Sequence, residues 1–234
     1  MIELDLGADG AAVLSLARPP VNALDLDLVR AIDRGVRSAV DEGARGLVLT
    51  GNGACFSAGI DVKVAPTYDA RQREEAIDAI NAMVATICAA PTPVVAAVNG
   101  HAFGGGLVIA LACDLRLAGR GDYSLALNEV AAGVPFPAGP LAVVRAELDP
   151  SVMRDLCLTG RSFGPAEAIS LRVVDEIVEP ESLIATARER AVALAAMPAY
   201  AAVKAQVRGP LIAELGRISS APQRRGSDAA PAPK

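Results

Sequence analysis

Glu129 is the residue best suited to acid–base chemistry in this sequence. It stands in LALNEVAAGVPFP, where Asn128 is its one polar neighbour. A carboxylate among apolar side chains is disfavoured in its charged form, so its pKa rises towards the range useful to a general acid or base. The alternative, which the residues leave open, is an ordinary loop glutamate in water.

Three consecutive glycines at 104–106 suggest a second chemical feature. They open an apolar helical pattern within PVVAAVNGHAFGGGLVIALACD (93–114). Glycine is costly at a helix start, so we expect something to approach bare backbone there. N–H groups at a helix start bind negatively charged or polarised oxygen. VLTGNGACFSAG (48–59) repeats this order: a strand, an Asn/Gly turn, a few small residues and then a glycine at the start of the next element. Two such junctions on neighbouring strands predict an oxyanion hole.

Other common catalytic motifs are missing. Ile109 replaces the last glycine of G-x-G-x-x-G, no Gly-Lys-Ser/Thr follows the glycines, and Cys55 replaces the first glycine of G-x-S-x-G. His101 is the only histidine and lies in the turn, where a structural role is expected. Asp61 is expected to be a helix cap or salt-bridge partner, and Asp114 to be structural. No His/Cys/Asp cluster has metal-ligand spacing, so no metal is expected.

The elements that must position these groups alternate between strand and helix patterns. Strands are expected at 2–6 and 11–16 (a hairpin), 46–51, 93–98, 115–119, 123–127 and 173–178. Helices are expected from Asp25 to near Gly43, along the stripe Ile77, Ile80, Val84 and Ile87, and at 141–148, 150–159, 180–196 and 199–216. A loop dense in Gly and Pro (128–140) is of a length that usually carries function.

Length and charge restrict the classes of protein and partner. The 234 residues suit one sizeable α/β domain, and the net charge of −5 argues against nucleic acid or an anionic membrane as partner. No apolar run approaches the roughly 20 residues of a membrane span, and the N-terminus lacks a signal-peptide pattern. The four cysteines form no CxxC pair. A soluble cytoplasmic protein with reduced thiols is expected.

Several segments, in this order, resemble the crotonase (enoyl-CoA hydratase/isomerase) superfamily. They are RPPVNAL (18–24), FSAGID (56–61), PVVAAVNGHAFGGG (93–106), ACD (112–114), NEVAAGVP (128–135), LTGRSFGPAEA (158–168) and the VVDEIV strand. The resemblance implies an α/β spiral of repeated ββα units with C-terminal helices. It divides the chain into a core with the active site (1–178) and a C-terminal helical region (179–218). The composition of SSAPQRRGSDAAPAPK (219–234) predicts a disordered tail.

The resemblance also implies a ligand, namely an acyl-CoA thioester of fatty acid metabolism. Its carbonyl oxygen would lie between the N–H groups of Ile60 and Gly105. No separate cofactor is implied, because coenzyme A is part of the substrate, and a homotrimer or hexamer is implied as the assembly. Arg18, Lys63 and Ala58 are expected at the coenzyme A moiety. The acyl pocket is assigned to Leu107, Val108, Val134 and Phe136.

One departure from the family decides the predicted reaction. Family hydratases carry two glutamates that position and activate water, and the first of those positions is Val108 here, so only Glu129 remains. A single carboxylate suits a Δ3,Δ2-enoyl-CoA isomerase, in which Glu129 moves a proton from C2 to C4 while apolar neighbours exclude water. The alternative for Val108 and Phe136 is that they are ordinary core residues with no role at the substrate.

Two other readings remain open. One is hydration, thioester hydrolysis or decarboxylation, with an acid supplied by Asp61 or Asp69. The other is a non-catalytic CoA-binding subunit, which would have no use for Glu129.

Overall fold

The computed structural model describes residues 1–220 and contains two sheets. The strands are β1 (Ile2–Leu6), β2 (Ala11–Leu16), β3 (Gly46–Gly51), β4 (Cys55–Ser57), β5 (Val94–Val98), β6 (His101–Phe103), β7 (Leu115–Gly119), β8 (Leu125–Ala126) and β9 (Glu176–Val178). The main sheet has the order β1-β2-β3-β5-β7-β9, and the small sheet has the order β4-β6-β8. The predicted hairpin of β1 and β2 is confirmed, and all other pairs in both sheets are parallel.

Ten α-helices surround these sheets in the described part of the chain. They are α1 (Leu26–Asp41), α2 (Ala70–Ala89), α3 (Gly105–Ala112), α4 (Glu129–Ala132), α5 (Ala138–Glu147), α6 (Pro150–Thr159), α7 (Pro165–Ser170), α8 (Leu183–Ala195), α9 (Tyr200–Val207) and α10 (Gly209–Ser220). As predicted, Asp25 caps α1, because its Oδ1 accepts a hydrogen bond from the N–H of Leu28 at 2.8 Å. None of the helices in residues 1–220 combines the length and the apolar character that crossing a membrane requires.

Successive ββα units organise the centre of the fold. β3, β4 and α2 form one unit, β5, β6 and α3 form the next, and β7, β8 and α4 form a third. The first strand of each unit lies in the main sheet and the second in the small sheet. The ββα repeat expected from the sequence is therefore present.

The main sheet is buried on both faces, which explains its apolar strands. The principal core lies between the sheet and the helices α1, α2, α3 and α5. On the opposite face, Val48 and Val95 pack with Ala187 and Ala191 of α8. Parallel strands covered in this way carry apolar residues on both sides, and every residue of β3 and β5 is buried.

Several predicted bounds need correction. The predicted strands 123–127 and 173–178 shorten to β8 and β9, and the predicted loop 128–140 contains α4 and the start of α5. The predicted helix 199–216 is two helices, because Pro210 cannot continue α9 and instead lies in the first turn of α10.

The expected division of the chain can be compared only in part with the structure. The division into 1–178 and 179–218 stays a prediction. Of the predicted tail (219–234), Ser219 and Ser220 are the last residues of α10, and 221–234 lie outside the described residues.

Candidate active site

The predicted site residues meet at one edge of the small sheet, where its three strands end. β4, β6 and β8 run parallel, so the segments that follow them start from the same edge. Those segments carry Ile60 after β4, Gly105 after β6 and Glu129 after β8. Equivalent positions in successive ββα units thus supply the two predicted donors and the predicted acid–base group.

The loop after β4 lies directly against the start of α3. Gly59 has φ +76°, and a Cβ at this position would lie 2.5 Å from the Phe103 carbonyl oxygen and 3.3 Å from the Gly105 nitrogen. A larger residue would be strained in this conformation and would collide with backbone. The glycine of FSAGID therefore allows the two junctions to approach each other closely.

The N–H groups of Ile60 and Gly105 have no acceptor within residues 1–220. Leu24 bridges this loop, because its N–H donates to Gly59 O at 2.7 Å and its carbonyl accepts from the N–H of Asp61 at 2.9 Å. That pattern directs the Ile60 N–H away from Leu24. Gly105 is the first residue of α3, so its N–H lacks an intrahelical acceptor. Both residues line one small cavity, as an oxyanion hole requires.

Glu129 is buried at this cavity, so the alternative of a solvated loop glutamate is wrong. It is the first residue of α4 and is 8% exposed. Its Oε2 is buried and has no hydrogen-bond partner among residues 1–220, and Oε1 would lie 3.1 Å from a Cβ placed on Gly104. Burial raises the pKa of the Glu129 carboxyl from its ordinary 4.5 to about 7. The carboxylate therefore faces the glycine turn in the protonation range of a general acid–base group.

The cavity beside Glu129 is small and almost wholly apolar. Its volume is about 20 Å³, enough for one water-sized group. Val108 and Val134 line it as predicted, and Val108 is only 1% exposed. Sequence reasoning missed the remaining lining residues, which are Leu24, Ile80, Met83, Val84, Pro135, Pro137 and Pro140. Two of them, Ile80 and Val84, belong to the apolar stripe predicted for α2. Helical spacing predicts that such residues are buried, but it does not identify the surface against which they pack.

One of the four residues assigned to the acyl pocket, Leu107, lies elsewhere. Leu107 lines neither this cavity nor its neighbour and is buried in the main core, which corrects its expected place. Gly105 and Val108 are three positions apart and therefore lie on one face of α3, whereas Leu107 points to another face. Phe136 lines an adjoining cavity of about 320 Å³ and also packs against the core.

Asp61 is a salt-bridge partner, as expected. Its Oδ2 lies 2.8 Å from Nη1 of Arg18, whose Nε lies 3.0 Å from Asp25. Burial opposes ionisation of Asp61, but the N–H groups of Lys63 and Val64 and the Arg18 guanidinium together lower its pKa. Asp61 is thus held as a carboxylate outside the Glu129 cavity.

The three residues expected at coenzyme A are unequally placed. Arg18 already binds two carboxylates, so a phosphate would compete with them. Lys63 is exposed. The N–H of Ala58 donates to Val21 O at 2.9 Å. Their role at coenzyme A stays a prediction.

The other polar candidates have structural surroundings. Nδ1 of His101 accepts a hydrogen bond from the Ser124 N–H at 3.1 Å, and the ring stacks on Phe103. Asp114 lies 2.6 Å from Lys204. Asp69 caps α2 at the surface. Within residues 1–220, no three His, Cys, Asp or Glu side chains are grouped so that they could hold a metal ion.

The chain matches known proteins over most of its length. A family model described as enoyl-CoA hydratase/isomerase matches residues 7–224. A probable enoyl-CoA hydratase, EchA17 of Mycobacterium tuberculosis, is 33% identical over 176 residues, which are 74% of this chain and 67% of the relative. The putative enoyl-CoA hydratase/isomerase YngF of Bacillus subtilis is 32% identical over 188 residues, covering 79% and 72%.

Solved structures share the fold. The probable enoyl-CoA hydratase EchA3 of M. tuberculosis has a TM-score of 0.86 at 27% identity, covering 93% of this chain and 92% of its own. A second structure of this same M. tuberculosis protein, described there as an apo enoyl-CoA isomerase, has a TM-score of 0.84 at 27% identity, covering 93% and 97%. The α/β fold class expected from the sequence is confirmed.

Proposed function

This chain belongs to the enoyl-CoA hydratase/isomerase family of the crotonase superfamily, and within that family we propose that it is a Δ3,Δ2-enoyl-CoA isomerase. It is an acyl-CoA-processing enzyme. The observation that carries the proposal is the single carboxylate, Glu129, in a cavity that Val108 also lines. By the family resemblance, Val108 stands at the first of the two glutamate positions of the hydratases. The site can exchange a proton with carbon, but no second acid from the described part of the chain lines it to position water.

The reaction begins with polarisation of the thioester. The carbonyl oxygen accepts hydrogen bonds from the N–H groups of Ile60 and Gly105, which increases the acidity of the C2 protons. Preorganised donors of this kind contribute roughly 10²–10³-fold each, because they stabilise charge that develops in the transition state.

Glu129 then moves one proton. Its carboxylate removes a proton from C2, and the electrons of that C–H bond form a dienolate over the thioester oxygen, C2, C3 and C4. The protonated carboxyl returns the proton to C4, which leaves the double bond between C2 and C3. Its pKa of about 7 suits both steps, because the group accepts and releases a proton at neutral pH.

Hydration of a 2-enoyl-CoA is the second candidate, favoured by the relatives that are named hydratases. Hydration needs a water molecule that is oriented and deprotonated beside the double bond. Asp61 and Asp69, the alternative acids, are bound to Arg18 and Gln72 and do not line the Glu129 cavity. The apolar wall opposite Glu129 therefore supports isomerisation over hydration.

The test measures isomerisation directly. Purified protein should convert a trans-3-enoyl-CoA into the conjugated 2-enoyl-CoA, seen as a rise in absorbance. Glu129→Gln should lower kcat at least about 10³-fold, because the amide cannot accept the C2 proton. The kcat/KM of the wild type should rise with pH through about 7 as the carboxylate forms.

The control is Glu181→Gln, an exposed glutamate remote from the site, which should retain full activity. Equal activity in Glu129→Gln would disprove the mechanism. Hydration of 2-enoyl-CoA at rates matching isomerisation would show that the argument from Val108 is wrong.

Assembly and location are proposed only from the family. We expect a homotrimer or hexamer, which light scattering on the purified protein would test, and a cytoplasmic location, which fractionation would test.

A further inference from the structure

A second cavity adjoins the one beside Glu129. It has a volume of about 320 Å³ and lies between α1, α2 and the segment 134–137. The two cavities share a wall formed by Leu24, Ile60, Ile80, Val134, Pro135 and Pro137. Space beyond the reacting carbons is therefore present next to the site.

The far side of this larger cavity is formed by one face of α2. Arg73, Ala76, Ile77 and Ile80 follow the spacing i, i+3, i+4 and i+7, which places them on one stripe of the helix. Val29 of α1 and Phe136 lie among the other lining residues. The walls are thus mainly aliphatic and aromatic carbon.

The polar lining groups are few, and two of the three are already engaged. Asp25 caps α1 and binds Arg18, and the Tyr68 hydroxyl accepts a hydrogen bond from the Leu26 N–H at 3.0 Å. Arg73 is exposed. The pantetheine arm of coenzyme A carries amides and a hydroxyl, whose burial here would leave most of them without partners. A hydrocarbon tail has no hydrogen bonds to lose in such a space, and removing its apolar surface from water lowers the free energy of binding.

Building on the proposed function, we propose that this cavity binds the acyl chain beyond C4 and makes the enzyme prefer acyl groups of medium length to short ones. A methylene group is close in size to a water molecule, about 30 Å³, so 320 Å³ corresponds to about ten such groups. Because a tail does not fill a cavity completely, about eight carbons beyond C4 is the expected limit. The favoured substrates then have about eight to twelve carbons.

Ala76 is the specificity-determining residue in this arrangement. It is the smallest side chain on the α2 stripe, so a larger residue there takes volume from a cavity that neither Glu129 nor Gly105 lines. Ile77 is 36% exposed, so a larger side chain at this second position has room to fold.

The experiment compares trans-3-enoyl-CoA substrates of 6, 8, 10, 12 and 16 carbons. For the wild type, kcat/KM should rise about fourfold for each added methylene and stop rising near C12, as expected when each methylene leaves water. Ala76→Phe should lower kcat/KM at least tenfold for the ten-carbon substrate and less than threefold for the six-carbon one. Ile77→Trp should act in the same direction, and activity on the six-carbon substrate shows that each variant is folded.

Arg71→Phe is the matched control. Arg71 lies on the opposite face of α2, is 80% exposed, and forms only an exposed ion pair with Glu75. Its variant should keep the chain-length profile of the wild type.

Failure of this inference is distinguishable from failure of the proposed function. A flat profile from C6 to C12, or an unchanged profile in both filled variants, would overturn the inference even where Glu129→Gln abolishes isomerisation. If the wild type isomerises no substrate, the proposed function fails, and calorimetry with saturated hexanoyl- to dodecanoyl-CoA still tests the cavity. Affinity that rises with length and falls in Ala76→Phe supports the inference, and affinity independent of length overturns it.

Discussion

Glu129→Gln should stabilise the folded protein, by an amount that depends on pH. Burial raises the pKa of Glu129 from 4.5 to about 7, so the folded state holds this proton over a range in which the unfolded chain has released it. In that range the folded state binds more protons, and its free energy of unfolding falls as pH rises. The loss begins near pH 4.5 and is complete above about pH 7. Glutamine has no charge to bury and avoids the loss.

The magnitude follows from the two pKa values. One pKa unit corresponds to about 1.4 kcal/mol, so linkage gives a cost to the wild type of about 1.4 kcal/mol at pH 5.5 and about 3.4 kcal/mol at pH 8.5. Glu129→Gln should therefore gain about 2 kcal/mol more stability at pH 8.5 than at pH 5.5. A residue kept at the expense of stability is expected where function requires it.

The assay is urea unfolding of both proteins at the two pH values. The chain has no tryptophan, so far-UV circular dichroism is the appropriate signal. Glu181→Gln, on the surface, should change the free energy of unfolding by less than about 0.5 kcal/mol at either pH. A Glu129→Gln variant that is less stable than the wild type, or equally stabilised at both pH values, would refute a buried, proton-holding carboxyl.

Two further predictions follow from particular contacts. Val108→Glu places a second carboxyl in the Glu129 cavity and should raise hydration of 2-enoyl-CoA about 10²-fold, whereas Val108→Gln should not; equal hydration in both variants would contradict the role given to this position. Lys204→Met removes an Nζ that lies 2.6 Å from Asp114, and it should lower the free energy of unfolding in urea by about 3 kcal/mol, because Asp114 keeps only Arg208 as an ionic partner. Lys63→Met, at an exposed site, should cost less than about 0.5 kcal/mol, and a similar loss in both variants would argue against the buried network.

Sequence reasoning located the elements that local patterns specify. β1, β2, β3, β7 and α1 have the bounds that periodicity and the Asp25 cap predict, because alternation, helical spacing and capping act between near neighbours in the chain. The glycines of 104–106 and FSAGID pointed to two backbone donors for the same reason. Gly209-Pro210 was a local signal that was missed, and it separates α9 from α10.

Only the tertiary structure decided what those elements face. Glu129 could have been a solvated loop residue until the parallel strands β6 and β8 placed it against the glycine turn. Leu107 and Val108 are equally apolar neighbours, yet the orientation of α3 places Val108 at the cavity and Leu107 in the core. The family, most strands, the glycine turns and the apolar residue at position 108 could all be identified from the sequence alone. Burial, and with it the pKa of Glu129 and the space for an acyl chain, depends on segments brought together from distant parts of the chain, and no short-range pattern encodes those contacts.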